Sequence, residues 1–141
     1  MPRKVLESFN VSYLQVLDAK GHLDRDLEPN LSPDALRRLY RSMVLARQLD
    51  LRMLSLQRQG RMGTFAPLMG QEAAQVGSAF ALEPTDWMVP GFREAAAYIV
   101  RGLPLHYVLL YYMGREEGNK IPDEQRDLPV NIPVASQLPH A

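Results

Sequence analysis

The chain has 141 residues, room for one domain with a modest core. Its 16 basic and 16 acidic side chains cancel, so no global field draws it to nucleic acid or to acidic lipid. The absence of cysteine excludes a disulfide framework and a thiolate metal site.

The start, "MPRKVLESFN", lacks the apolar core of a signal peptide, and no window holds the ~20 apolar residues that a membrane span needs. The expectation is a cytoplasmic chain with no membrane and no nucleic-acid partner. Residues 1–31 read as an N-terminal extension, in which Lys20-Gly21 offers a turn for a small strand or hairpin. "LSPDALRRLYRSMVLARQLDLRMLSLQRQG" then predicts a helix. Ser32 suits the N-cap, Pro33 the first helical position and Asp34 the positive helix end, and Gly60 is a natural stop. Leu36, Leu39, Met43, Ala46, Leu49, Met53 and Leu56 step by three or four residues along one face. The arginines of this helix read as a solvated face with snorkelling stems, since no aromatics interleave with them.

Three shorter helices are expected downstream. "QEAAQVGSAFAL" is rich in small residues, and "VPGFREAAAYIVRG" and "LPLHYVLLYYMG" each end on glycine. Tyr107, Leu109, Leu110, Tyr111 and Tyr112 make the last of these apolar nearly all round, as a subunit interface or a core helix would be. The charged loop "REEGNKIPDEQRDLP" leads into "PVNIPVASQLPHA", an uncharged run stiffened by proline.

His22, His106 and His140 stand at no helical ligand spacing, and no Walker loop, G-x-S-x-G or G-x-G-x-x-G occurs. Glu72 reads as a helix-terminal carboxylate rather than a catalytic acid. Arg93 falls in the first turn of a helix entered through Pro90-Gly91, where a cation opposes the dipole unless an anion compensates. Two readings stand: Arg93 and the helix end hold a phosphate together, or Arg93 pairs with Glu94 or Glu72.

"RQGRMGTFAPLMGQEAAQVGSAFAL", "DWMVPGFREAAAYIVRGLPL", "GNKIP" and "PVASQLPHA" follow in one order. They resemble the alpha subunit of the thiamine diphosphate-dependent 2-oxo acid dehydrogenases, and within that family the bacterial pyruvate dehydrogenase type. The resemblance implies an α/β thiamine diphosphate-binding fold for the intact subunit. This N-terminal fragment should be mainly α with little sheet, with 32–141 as the helical part, cut before the metal-binding motif. It implies that Arg93 grips the cofactor's diphosphate, with Phe92 where the family has tyrosine, and that the Ile132 carbonyl and the Val134 amide hold the aminopyrimidine. Gly91, where branched-chain members have glutamine, leans toward the pyruvate type. Some relatives bind potassium at positions that here are Asn131, Pro133, Ser136 and Gln137, all oxygen donors. The Mg²⁺ ligands would lie outside this chain, and no residue of it is an acid–base catalyst. The implied activity is oxidative decarboxylation of pyruvate with acyl transfer to a lipoyl group, and the fragment alone should be inactive. The implied partners are a beta subunit in an alpha2beta2 heterotetramer, the lipoyl acyltransferase component and the 2-oxo acid substrate. A branched-chain 2-oxo acid or acetoin enzyme, and a non-catalytic helical interaction fragment, are the alternatives.

Overall fold

The structure is a computed structural model that describes residues 3–119. The chain divides into two units, Met1–Ser32 and Pro33–Ala141.

In the first unit the turn at Lys20-Gly21 forms, closed by an isolated antiparallel bridge between Leu17 and Leu23. Asp18 organises it. One carboxylate oxygen accepts the backbone N–H of Lys20 and of His22, each at 2.8 Å, and the other lies 3.0 Å from His22 Nδ1. The N–H and then the ring of His22 hold this carboxyl below its usual range. Elsewhere the segment is irregular, and Phe9, Val11, Tyr13 and Leu14 are exposed.

The second unit is helical: α1 is Pro33–Arg58, α2 Glu72–Phe80, α3 Ala95–Val100 and α4 Leu105–Tyr112, and a 3-10 turn follows at Glu116–Asn119. No strand forms among the described residues. The α1 helix begins at Pro33 with Asp34 in its first turn. It ends as Gly60 turns to φ 69°, which lets Arg61 N–H reach back to the Leu56 carbonyl at 3.0 Å. Glycine adopts that left-handed conformation without a Cβ clash.

The apolar stripe buries Ala46, Leu49, Met53 and Leu56, while Leu36 at its head is 53 % exposed. Ala35 beside it is buried, so the covered face at the head of the helix is offset from the stripe. The buried part packs with Met62, Phe65 and Leu68 of the following loop, Val76 of α2, Ala95, Ala96 and Tyr98 of α3, and Val108 of α4. Contacts run between α1, α2 and α3, and between α4 and the 3-10 turn. Alanines on α3 let it approach α1 and α2 closely. Within α4 only Val108 is fully buried; Tyr107, Leu109, Leu110, Tyr111 and Tyr112 are half-buried. Among the described residues, Val108 is therefore the one α4 side chain that is fully enclosed.

The six-residue α3 is shorter than the sequence suggests, and Arg93 is not in its first turn. The helix starts two residues later, because its first amides are satisfied from elsewhere. Ala95 N–H bonds to the Arg93 carbonyl at 2.9 Å, and Ala96 N–H to Gln75 Oε1 at 3.1 Å. A glutamine from α2 thus does the work of an N-cap for α3.

Candidate functional site

A cleft of about 720 Å³ opens in the second unit. One wall is the 63–67 loop, another is Phe92 with Arg93, and the third is the end of α4 with residues 111–114. Each wall is set by the core. The loop is pinned where Leu68 N–H bonds to the buried Asp50 carboxylate at 2.9 Å, and where Gly63 N–H meets the Tyr112 carbonyl at 3.3 Å.

Arg93 Nη1 donates to the Pro67 carbonyl at 2.6 Å, and its guanidinium carbon stands 5.3 Å from the centroid of the exposed Phe92 ring. Neither pairing expected from the sequence forms. Glu94 turns its carboxylate to the Arg93 backbone N–H at 3.1 Å instead of to the side chain. Glu72 pairs with Arg47 and accepts Gly70 N–H at 3.0 Å. Among the described residues no carboxylate lies within ion-pair distance of the Arg93 guanidinium. The shared site of guanidinium and helix end does not form either, since α3 is a short helix whose opening amides are occupied. What remains is a cation on the wall of an open cleft.

The main chain around Arg93 is densely bonded. Tyr112 donates its hydroxyl to the Phe92 carbonyl at 3.2 Å, and Gln75 Nε2 donates to the Arg93 carbonyl at 3.2 Å. Burial, reinforced by Tyr111 and Glu94, pushes the Tyr112 phenol up to about 12, so it remains a protonated donor throughout the neutral range. Beside the cleft lies a small apolar cavity of about 20 Å³, walled in part by Phe92, Tyr98, Tyr107 and Tyr111. The buried Tyr98 hydroxyl has no partner among the described residues, and burial raises its pKa as well.

Phe92 and Arg93 are thus brought together on one wall. Ile132, Val134, Asn131, Pro133, Ser136 and Gln137 lie outside the described residues. Among the described residues no group of three His, Cys, Asp or Glu is placed to hold a metal ion, and no helix is long and apolar enough to cross a membrane. Sequence reasoning missed Gln75 and the Pro67 carbonyl. A backbone oxygen leaves no trace in a sequence, and the spacing of Gln75 marks only a helix position. Tyr112 was visible only as one more apolar residue on α4.

The family model for the dehydrogenase E1 component matches residues 40–141. The chain is 45 % identical over 115 residues to the pyruvate dehydrogenase E1 component subunit alpha of Acholeplasma laidlawii, covering 82 % of this chain and 33 % of that protein. It is 42 % identical over 124 residues to the same-named subunit of Bacillus subtilis (strain 168), covering 87 % and 33 %. With that of Mycoplasma genitalium it shares 40 % over 131 residues, covering 90 % and 36 %. The chain spans about a third of the length of these relatives. A match over most of the chain, at this identity, is that of common descent: the chain belongs to the dehydrogenase E1 component family.

Proposed function

We propose that the chain supplies the diphosphate-gripping arginine of a thiamine diphosphate-dependent pyruvate dehydrogenase alpha subunit. The observation that carries this reading is Arg93: a guanidinium with no carboxylate partner among the described residues, on the wall of a cleft of about 720 Å³. The relatives' shared name, pyruvate dehydrogenase E1 component subunit alpha, supports the substrate. A guanidinium has five N–H donors in a planar fork. Among the described residues one is used, on the Pro67 carbonyl, and the fork geometry suits the others to phosphate oxygens. Phe92 lays an apolar ring beside the charge, with the guanidinium carbon 5.3 Å from its centroid.

When bound, thiamine diphosphate supplies a nucleophilic carbon and an electron sink for loss of CO₂ from a 2-oxo acid. In this reading Arg93 binds the diphosphate, while the Ile132 carbonyl and Val134 amide orient the aminopyrimidine. Asn131, Pro133, Ser136 and Gln137 offer oxygens to a potassium ion. Mg²⁺ ligands come from sequence beyond this chain, within the α/β thiamine diphosphate-binding fold of an intact subunit. A beta subunit in an alpha2beta2 heterotetramer supplies the proton-accepting group, and the lipoyl acyltransferase component takes the acyl product. The compartment is the cytoplasm.

Calorimetry tests this. A subunit of the relatives' length carrying these 141 residues, assembled with a beta partner, should bind thiamine diphosphate with Mg²⁺ and decarboxylate pyruvate. The 141-residue chain alone should do neither. Arg93→Ala in the assembly should weaken cofactor binding at least tenfold, the effect of losing a charged hydrogen-bonding partner. Unchanged affinity would remove the diphosphate role. An assembly that forms but neither binds the cofactor nor turns over would leave a helical interaction module as the function.

A further inference from the structure

We infer that Gln75 and Tyr112 are positioning residues that clamp the two peptide planes flanking Arg93 and so aim its guanidinium at a diphosphate. The inference rests on the function proposed above and adds to it the groups that make the arginine effective.

The two rigid peptide planes that meet at a Cα set the direction of its Cα–Cβ bond, and the Arg93 Nη1 bond to the Pro67 carbonyl at 2.6 Å ties the far end of the side chain. Both planes at Arg93 are held. The preceding plane is fixed at its oxygen by the Tyr112 hydroxyl, 3.2 Å from the Phe92 carbonyl, and at its N–H by Glu94 Oε2 at 3.1 Å. The following plane is fixed at its oxygen by Gln75 Nε2 at 3.2 Å and by Ala95 N–H at 2.9 Å.

The clamps are themselves rigid. Gln75 is 6 % exposed, and its amide oxygen is taken by Ala96 N–H at 3.1 Å, so the carboxamide cannot rotate without losing bonds at both ends. The Tyr112 ring meets Phe65 edge-on with centroids 6.0 Å apart and Tyr111 at 5.2 Å. Its carbonyl also holds Gly63. One clamp comes from α2 and the other from α4, so the arginine's aim depends on three elements staying in register. An arginine tied down before the ligand arrives loses less freedom on binding than a loose one, and that saving appears as affinity.

The alternative is that these bonds only stabilise the fold. A double-mutant cycle separates the two, measured in the assembled subunit of the relatives' length. The probes are thiamine diphosphate with Mg²⁺ and inorganic diphosphate as competitor. Tyr112→Phe deletes one hydroxyl and leaves the ring packing in place. It should weaken both probes ~3–10-fold, as loss of one hydrogen bond does, and should have no further effect in the Arg93→Ala background. Gln75→Met, followed with its melting temperature, should behave the same way. An equal loss with and without Arg93, or no loss beside an intact Arg93, overturns the positioning role while leaving the diphosphate site standing. If Arg93→Ala by itself changes nothing, the function proposed above falls first and takes the clamp with it.

Discussion

Glu72 links the start of α2 to α1, and it makes the stability of the second unit depend on pH in a predictable way. Its carboxylate accepts Gly70 N–H at 3.0 Å and pairs with Arg47 across the helix interface. The Arg47 guanidinium holds the Glu72 carboxyl down from 4.5 to about 2, helped by that N–H. A carboxyl whose folded pKa is depressed contributes stability that is fully present above its unfolded value and is lost as pH falls through the folded one. The window is therefore pH 4.5 down to about 2. At ~1.4 kcal/mol per pH step the ceiling is ~3.4 kcal/mol. The Arg47 side chain is 43 % exposed, so solvent screening brings the expected contribution to about 1–2 kcal/mol. Glu72→Gln keeps the shape and an acceptor for Gly70 but removes the charge. Urea unfolding of both proteins at a series of pH values should show the variant ~1–2 kcal/mol less stable at pH 7, with the difference closing between pH 4.5 and pH 2. Added salt should shrink it too. A difference that stays constant from pH 6 to pH 2 would mean that the bond acts through shape alone, and the electrostatic reasoning would fail.

Met53 is among the most deeply buried side chains, and Met53→Ala should cost ~2–5 kcal/mol in chemical denaturation with an unchanged denaturant slope. Gly118 in the 3-10 turn has no room for a side chain, since a Cβ there would lie 2.1 Å from Tyr111 N. Gly118→Ala should push the turn off α4 and accelerate amide exchange at residues 110–112, whereas unchanged exchange would refute the packing. The Arg101 guanidinium gathers the carbonyls of Glu83, Pro84 and Asp86 at 3.0, 3.2 and 2.9 Å. Arg101→Ala should cost ~2–3 kcal/mol and expose the 83–86 loop to limited proteolysis, with Arg101→Lys recovering only part of the loss.

The surviving parts of the sequence reading share a cause. Pro33, Asp34 and Gly60 bound α1 through local backbone chemistry, and Ala46, Leu49, Met53 and Leu56 bury because their spacing matches the helix period. Both signals lie within a few residues of what they determine. The failures are all long-range. Leu36 sits on the same stripe yet remains exposed while the adjacent Ala35 is buried, because periodicity names a face only coarsely and the packing partners decide which residue at its edge is covered. Arg93 was placed in a helix because the surrounding residues favour one, but Gln75, 21 residues away from Ala96, settles where α3 begins. Of the candidate site, Phe92 and Arg93 were legible through a resemblance to known sequences rather than through physics, since charge spacing alone favours a pairing with Glu94 or Glu72.

The competition for Arg93 is decided by geometry that spacing does not carry. Glu72 is already engaged by Arg47 from α1, and Glu94 is drawn to a backbone N–H, so both carboxylates that stood near in sequence are occupied. Among the described residues, the Arg93 guanidinium is set against the Pro67 carbonyl and the Phe92 ring, neither of which carries a negative charge. Both acids are directed away from Arg93 and the backbone around it is bonded from α2 and α4, which is the arrangement that the proposed diphosphate role requires.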